Sequence, residues 1–234
     1  MRKAILVAAS PFLMTGLLGM TPALAAGPGT SSGNTPSHAA KQTDAQDLVN
    51  KATDVANKMK KDPNLVELMQ KAKGIFIVPK YGKGGLIIGA QGGEGVMLAH
   101  RNGEWTNPVF YDTGGLSFGA QAGVSVGSIA MLLMTDKAVD RFKQNDKFSL
   151  NAEAGISIVK YSAHGTATPG EGDVIAWSDT AGAYVGATLS VTDIHRDKDQ
   201  NKTYYGEPVT EAKVLSNDLS NPGARKLRDA LPEG

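Results

Sequence analysis

A glycine-spaced motif that occurs twice constrains this chain more than any other feature. The two copies, residues 84–93 and 114–123, both read Gly-Gly-Leu-x-x-Gly-Ala-Gln-x-Gly. Glycine therefore returns at every fourth residue within each copy. Residues four apart share a face on a helix and also on a strand, so the spacing alone fits either structure.

Composition favours strands over helices for these two copies. Each glycine in a water-exposed helix costs about 1 kcal/mol relative to alanine. The apolar runs are also far shorter than the ~20 residues that span a bilayer as a helix. Each copy is therefore predicted to be a strand whose glycine face lets another backbone approach closely or lets the sheet bend.

The rest of the chain after residue 74 reads as short strands with one short helix. Asn102-Gly103 is a hairpin turn signal, and Thr135 is predicted to cap a helix that ends at Phe142. Apolar runs or alternation predict further strands at residues 75–78, 96–100, 109–111, 129–134, 148–159, 174–178, 183–191 and 203–205. The predicted fold is α+β: a twisted antiparallel glycine-rich sheet, barrel- or sandwich-like, with N-terminal amphipathic helices and one short helix.

The N-terminus has the features of a bacterial signal peptide over residues 1–25. Arg2 and Lys3 precede an apolar stretch, and Ala-Leu-Ala at positions 23–25 is a cleavage signal. We therefore expect a periplasmic or secreted protein, cleaved near Ala25, with an uncleaved anchor as the alternative. The chain has no cysteine, so an exported form would depend on its core rather than on disulfides.

Four segments are predicted along the chain. Residues 26–40 are rich in Gly, Pro, Ser and Thr and predict a flexible linker after the signal peptide. A single domain is predicted over residues 41–206. Residues 207–234 are predicted to be a peripheral tail with a weak helix at 222–231.

Two amphipathic helices are predicted after the linker, in a segment rich in lysine. Residues 41–61 have apolar positions at helical spacing, and Asp62 is predicted to cap a second helix that starts with Pro63. Residues 51–83 contain eight lysines and three acidic residues, whereas the whole chain carries a net charge of only +1. Such a cluster is either a solvated helix face or a surface for anionic lipid, where each basic residue contributes about 1 kcal/mol. The near-neutral total gives no indication of nucleic-acid binding.

The motifs that suggest chemistry are weak. Gly-Val-Ser-Val-Gly at 123–127 matches the nucleophile elbow of hydrolases around Ser125, but that elbow needs a strand, a sharp turn and then a helix. Residues 197–201 begin like a calcium loop but have Lys202 where that loop needs glycine, so a charged hairpin tip is predicted instead. The four histidines lack metal-ligand spacing.

Several ordered blocks of the sequence resemble the SYLF-domain family. They are Ala-Lys-Gly-Ile-Phe-Ile-Val-Pro at 72–79, the two glycine copies, Gly103-x-Trp105-x-x-Pro108, Lys-Ala-Val-Asp-x-Phe at 137–142, and Trp177-Ser178 with Gly-Ala-Tyr-Val-Gly at 182–186. The resemblance covers roughly residues 44–205. It implies a phospholipid-binding module, exported in bacterial members that carry signal peptides, and it brings no catalytic residues.

The leading functional prediction is an exported, non-enzymatic module that docks on anionic phospholipid through a basic helical and loop surface. Apolar side chains of the first helix would contact acyl chains. No cofactor, metal or nucleic-acid partner is predicted, and the oligomeric state is left open. The alternatives are a membrane-inserted glycine-rich β-barrel or pore and a periplasmic serine hydrolase that uses Ser125. The predicted lipid-binding residues are Lys58, Lys60, Lys61, Lys71, Lys73, Lys80, Tyr81 and Lys83.

Overall fold

The computed structural model describes residues 38–85, 88–118, 123–151, 154–161, 172–179 and 191–233. The helices are α1 His38–Met59, α2 Pro63–Lys71, α3 Asp136–Gln144, α4 Lys198–Tyr205, α5 Glu211–Leu215 and α6 Arg225–Ala230, with a 3₁₀ turn at Pro222–Ala224. The strands are β1 Gly74–Gly85, β2 Ile88–Arg101, β3 Glu104–Trp105, β4 Val109–Phe118, β5 Gly123–Leu133, β6 Lys147–Leu150, β7 Ile158–Lys160, β8 Val174–Ser178 and β9 Val191–Arg196.

One curled sheet organises these elements. Its strand order is β6-β9-β4-β2-β1-β5-β8-β7, with β3 paired to β2. All pairs are antiparallel except β7 with β8. The α+β prediction is therefore confirmed, with the sheet forming a half-barrel.

Helices cover both faces of the sheet, and each face has its own core. Ile75 and Ile77 of β1 pack with apolar residues of α1, α2 and α6 in the first core. Phe76 and Val78 point to the other face and pack with α3 and α5 in the second core. This division follows from the alternation of side chains along a strand.

Each glycine copy spans a strand end and the start of the next strand, so the prediction of one strand per copy is wrong. The first copy contains the end of β1 and the start of β2, and the second contains the end of β4 and the start of β5. Residues 86–87 and 119–122 lie outside the described residues. The copies lie side by side, with Gly92 opposite Gly114 and Gly85 opposite Gly123.

Close backbone approach at the glycines is confirmed. A Cβ atom added to Gly93 would lie 2.3 Å from the carbonyl oxygen of Lys80. A Cβ on Gly95 would lie 2.7 Å from the ring of Phe76. Because real Cβ contacts are much longer, any larger residue at these positions would push the neighbouring strand away.

The strand predicted at residues 75–78 does not stop before Pro79, because a bulge lets β1 continue to Gly85. Between Val78 and Tyr81, the pairing register of β1 with β5 shifts by one residue. The register of β1 with β2 shifts by one residue across the same segment. Proline lacks an amide hydrogen for a ladder and is tolerated at bulges. The bulge at Pro79 and Lys80 therefore extends the strand to Gly85.

The local signals for caps and turns are confirmed. The side chain of Asp62 accepts a hydrogen bond from the amide of Asn64 at the start of α2. Thr135 caps α3 in the same way through the amide of Ala138. Asn102 and Gly103 have φ angles of 52° and 84° in the β2–β3 hairpin, as the Asn-Gly signal predicts.

Four predicted boundaries need correction. Residues 203–205 are the end of helix α4 rather than a strand, because Asp197 caps that helix by accepting from the amide of Gln200. Residues 197–201, predicted to be a charged hairpin tip, are instead the cap and the first turn of α4. The strand predicted at 148–159 is divided into β6 and β7. Helix α1 begins at His38, three residues inside the predicted linker. Of the strand predicted at 183–191, residues 183–190 lie outside the described residues, and the strand predicted at 174–178 is β8, which pairs with β5 and β7.

The C-terminal segment is packed into the first core rather than lying at the periphery. Leu227, Ala230 and Leu231 are buried there beside the apolar residues of α1. The side chain of Gln46 in α1 also donates a hydrogen bond to the carbonyl of Gly223. The domain boundary at residue 206 stays a prediction, but the segment that follows it contributes to the fold.

Candidate functional site

Four of the predicted lysines lie at the two ends of helix α2. Lys60 and Lys61 follow α1 and precede α2, whereas Lys71 and Lys73 lie at the end of α2 and just before β1. All four are exposed. We call this set the basic corner. Helix α2 has nine residues, which places its two ends about 13 Å apart.

The lysines of this region differ in whether they are neutralised. Lys71 forms an ion pair of 2.5 Å with Glu67, one turn earlier in α2. Among the described residues, Lys60, Lys61 and Lys73 form no ion pair. Three positive charges of the basic corner are therefore available to an external anion.

Lys58 is not part of the basic corner, because its ammonium group forms an ion pair within the fold. Its Nζ atom lies 2.9 Å from Oδ2 of Asp179. The amide of Ser128 donates to Oδ1 of the same carboxylate at 2.7 Å. Burial raises the pKa of Asp179, but the hydrogen bonds from Ser128 and Lys58 outweigh it and hold that pKa below its usual value. Lys58 thus ties α1 to the sheet.

Asp62 fixes the position of the basic corner. One of its oxygens caps α2, and the other accepts a hydrogen bond of 2.5 Å from the hydroxyl of Tyr161, just after β7. Burial, together with this hydrogen bond to Asp62, raises the pKa of Tyr161 to about 12. Tyr161 therefore stays a neutral donor at physiological pH and holds the α1–α2 turn against the sheet.

The structure separates Lys80, Tyr81 and Lys83 from the basic corner. Lys80 lies in the bulge of β1, seven residues beyond Lys73, so the two are roughly 20 Å apart along the strand. Tyr81 is buried in the second core. Lys83 pairs with Gln91 of β2 and Ser125 of β5 through the backbone. The eight predicted residues therefore do not form one surface.

The apolar side of α1 is not available to acyl chains. Its residues Val49, Ala52, Ala56 and Met59 are fully buried in the first core. The exposed side of α1 is polar. The predicted contact between this helix and lipid tails is therefore wrong for the folded chain, because the same stripe forms the core.

A cleft of about 560 Å³ adjoins Lys60. It lies between α2, the β2–β3 hairpin and the C-terminal segment, and Gln70, Trp105 and Arg228 are among its lining residues. Glu104, Asp229 and Glu233 also line it, so its cations and carboxylates are mixed. Arg228 had no signal in the sequence, because only the folded C-terminal segment brings it to this end of the molecule.

The residues considered for catalysis or metal binding do not assemble in the described part of the chain. Ser125 lies within the continuous strand β5, without the turn and helix that a nucleophile elbow needs. His195 lies in β9 opposite Asp112, and His164 is outside the described residues. No group of three or more His, Cys, Asp or Glu in the described ranges has the geometry of a metal site.

Within the ranges that the structure describes, no helix combines the length and the apolar character needed to cross a bilayer.

A family model described as Ysc84, Las17-binding protein actin regulator, matches residues 114–233. The match starts in β4 and includes α3 to α6, so it reaches almost to the end of the chain. The basic corner lies in the part of the chain that precedes it.

Curated proteins from eukaryotes are similar to about half of the chain. SH3 domain-containing protein PJ696.02 of Schizosaccharomyces pombe is 24% identical over 127 residues, which cover 52% of this chain and 30% of that protein. Protein YSC84 of Saccharomyces cerevisiae is 24% identical over 127 residues, 52% of this chain and 27% of that protein. SH3 domain-containing YSC84-like protein 1 of Bos taurus is 23% identical over 133 residues, 55% of this chain and 39% of that protein. The alignments thus cover well under half of each relative.

Proposed function

We propose that this chain, which belongs to the Ysc84 family of Las17-binding actin regulators, is a non-enzymatic binding module whose ligand is anionic phospholipid. The observation that carries this proposal is the basic corner, where Lys60, Lys61 and Lys73 are exposed and have no ion-pair partner among the described residues. Cations of this kind gain about 1 kcal/mol each near an anionic bilayer.

The packing of α1 supports a peripheral and electrostatic mode of binding. Inserting the apolar side of α1 into a membrane would require removing it from the first core. The lysines at the ends of α2 need no such rearrangement, because they already face water. The predicted interaction is therefore sensitive to salt, since exposed charges are screened over a Debye length of about 8 Å at physiological ionic strength.

Vesicle co-sedimentation with a charge-matched control tests this proposal. The double variant Lys60→Gln/Lys61→Gln removes two charges from the basic corner. Lys51→Gln/Lys202→Gln removes two exposed lysines elsewhere that likewise form no ion pair with the described residues. We expect the first variant to bind phosphatidylserine-containing vesicles about thirtyfold more weakly and the second to bind nearly as the unmodified chain does.

Two outcomes would contradict lipid docking at the basic corner. One is equal binding of the unmodified chain to anionic and neutral vesicles at low salt. The other is an equal loss of binding in the two double variants, because that would indicate a dependence on net charge only.

A protein partner is the second candidate, since the relatives include proteins named for binding Las17. Those names describe whole proteins of which this chain matches 28%. The corresponding partner of this chain would be a protein of its own compartment. Failure of anionic vesicles to bind the chain at low salt would favour this candidate.

Export remains part of the proposal. The charged start, the apolar stretch and the Ala-Leu-Ala signal of residues 1–25 support cleavage near Ala25 and a periplasmic or secreted location. Intact-mass measurement of the protein from its native envelope fraction tests this. We expect a chain that begins near Ala26, and a mass that includes Met1 would contradict cleavage.

A further inference from the structure

The cleft between α2, the β2–β3 hairpin and the C-terminal segment has the size of a site for a small ligand. Its volume is about 560 Å³, and clefts that bind small molecules have volumes of about 300–1,000 Å³. Its lining comes from the α1–α2 turn, α2, the hairpin and the C-terminal segment, which are distant from one another in the sequence. Only the folded chain therefore brings these groups together.

The floor of the cleft is apolar and fixed in position. Trp105 and Leu231 both line the cleft and are each only 3% exposed. The indole Nε1 of Trp105 already donates a hydrogen bond of 2.8 Å to the carbonyl of Pro232. The groups that can orient a ligand are therefore the charged and amide side chains of the walls rather than the indole.

The walls carry charges of both signs. The cations are Lys60 and Arg228, and the carboxylates are Glu104, Asp229 and Glu233. A purely anionic ligand would meet three carboxylates, and a purely cationic ligand would meet two cations. A ligand that carries one group of each sign can be complementary to both sets. The composition of the walls therefore favours a zwitterion.

These charges are not neutralised by one another at hydrogen-bond distance. Nη2 of Arg228 lies 3.8 Å from Oε2 of Glu104, which is longer than a hydrogen bond. Lys60 and Glu233 form no ion pair with any part of the chain that the structure describes. By comparison, the ion pair within α2 closes to 2.5 Å. The charges of the cleft are therefore available to a ligand.

Arg228 also contributes a donor that lacks an acceptor among the described residues. Its Nε atom is buried and has no hydrogen-bond partner there, whereas the side chain as a whole is 34% exposed. Buried donors without a partner are rare in native proteins, and each one calls for a water, an ion or a ligand. A guanidinium group matches a carboxylate, which it can bind through two parallel hydrogen bonds. Arg228 is thus suited to bind the carboxylate of a ligand.

We propose that this cleft binds a short peptide with free termini, which carries one carboxylate and one ammonium group. Arg228 and Lys60 bind the terminal carboxylate, and Glu104 and Glu233 bind the terminal ammonium. Gln70, which is exposed on the α2 wall, offers its amide to the peptide main chain. The volume lies well above the lower limit for such sites, which favours a peptide over a single amino acid.

NMR titration of the isotope-labelled chain with tetra-alanine tests the proposal. The chain has two tryptophans, and only Trp105 lines the cleft, so the two indole N–H signals report on different places. Trp177→Phe assigns them. We expect tetra-alanine to shift the Trp105 signal saturably and to leave the Trp177 signal unchanged. N-acetylated and C-amidated tetra-alanine each lack one charge and should bind about tenfold more weakly.

A matched pair of variants tests the carboxylate end of the site. Arg228→Gln should weaken the binding of tetra-alanine about tenfold. Lys226→Gln removes a positive charge from the same helix, and residues two apart on a helix do not face each other, so this variant should bind as the unmodified chain does. The capped peptides change only the ligand, so they test the charge requirement even if Arg228→Gln folds poorly.

Three results would overturn the proposal. The first is the absence of a saturable shift of the Trp105 signal. The second is equal binding of free and capped tetra-alanine, because the charges of the cleft would then have no role. The third is an equal loss of binding in Arg228→Gln and Lys226→Gln. No vesicles are present in these titrations, so each result is separate from the test of lipid docking, although Lys60 belongs to both surfaces.

Discussion

The indole Nε1 of Trp105 donates a hydrogen bond of 2.8 Å to the main-chain carbonyl of Pro232. Trp105 is buried in the β2–β3 hairpin and stacks on His100 with ring centroids 4.6 Å apart. Because this hairpin is anchored in the centre of the sheet, the hydrogen bond fixes the C-terminal segment to the most central strands of the fold.

Shortening a core side chain in α6 should therefore destabilise the whole domain. Leu227 is fully buried beside α1, so Leu227→Ala should lower the free energy of unfolding by about 2–5 kcal/mol. The neighbouring exposed residue Lys226 provides the control. Lys226→Ala should change the free energy of unfolding by less than about 0.5 kcal/mol. Urea unfolding of both variants measures the difference. Equal stabilities would mean that the segment is peripheral.

Glycine should be required at some positions of the repeat and replaceable at others. Gly93→Ala should cost several kcal/mol, because its Cβ would overlap the carbonyl oxygen of Lys80 at 2.3 Å. Gly82→Ala is the matched control, since the nearest atom to its Cβ is 3.9 Å away. We expect Gly82→Ala to be close to neutral. Thermal unfolding of the two variants checks this, and similar losses in both would refute the close-approach argument.

The carboxylate of Asp179 should contribute stability that is lost in acid. Burial raises its pKa, but the hydrogen bonds from Ser128 and Lys58 lower it further, so the net pKa is below its usual value. A carboxyl group whose pKa is lower in the folded chain stabilises the fold above the unfolded-state pKa of about 4. This stabilisation is lost as the pH falls through the lower pKa of the folded chain. Asp179→Asn should lower the melting temperature at pH 7. It should also make the additional fall in melting temperature between pH 4 and pH 2 smaller. Asp54→Asn, on the exposed side of α1, should change neither.

Asp112 should have the opposite effect on stability. Burial raises its pKa, and the carboxylates of Asp197 and Glu94 raise it further, while His195 partly opposes them. A carboxyl whose pKa is raised destabilises the fold at neutral pH, where it is ionised. Asp112→Asn should therefore raise the melting temperature at pH 7, and this gain should disappear below about pH 4. A lower melting temperature at pH 7 would indicate a favourable partner for the carboxylate.

Local signals in the sequence predicted local structure well. The caps at Asp62 and Thr135 and the turn at Asn102-Gly103 depend on residues within three positions of each other. The chemistry of a cap or a tight turn is contained in such a short stretch. The sheet itself was also predictable, because glycine density excluded helices at the two copies.

Features that depend on distant residues were not predictable in the same way. Residues 203–205 read as a strand, but the cap at Asp197 and the burial of Tyr204 against Phe110 make them a helix. The apolar stripe of α1 is equally suited to a membrane or to a core, and only the packed sheet decides between them. The lysines at 73 and 80 are close in sequence, yet the extended strand between them separates them by roughly 20 Å.

The extra residue of β1 has a consequence for how this segment can vary in length. Before the bulge, odd-numbered residues such as Ile75 and Ile77 face the first core, and after it the even-numbered Gly82 and Gly84 share that side. Deleting Lys80 would remove the extra residue and leave an unbroken alternation, in which Gly82 and Gly84 stay on the side that they share with Ile75 and Ile77. The segment between Val78 and Tyr81 should consequently tolerate the loss of one residue, whereas the same loss within the regular pairing on either side would turn every later side chain of the strand to the opposite face.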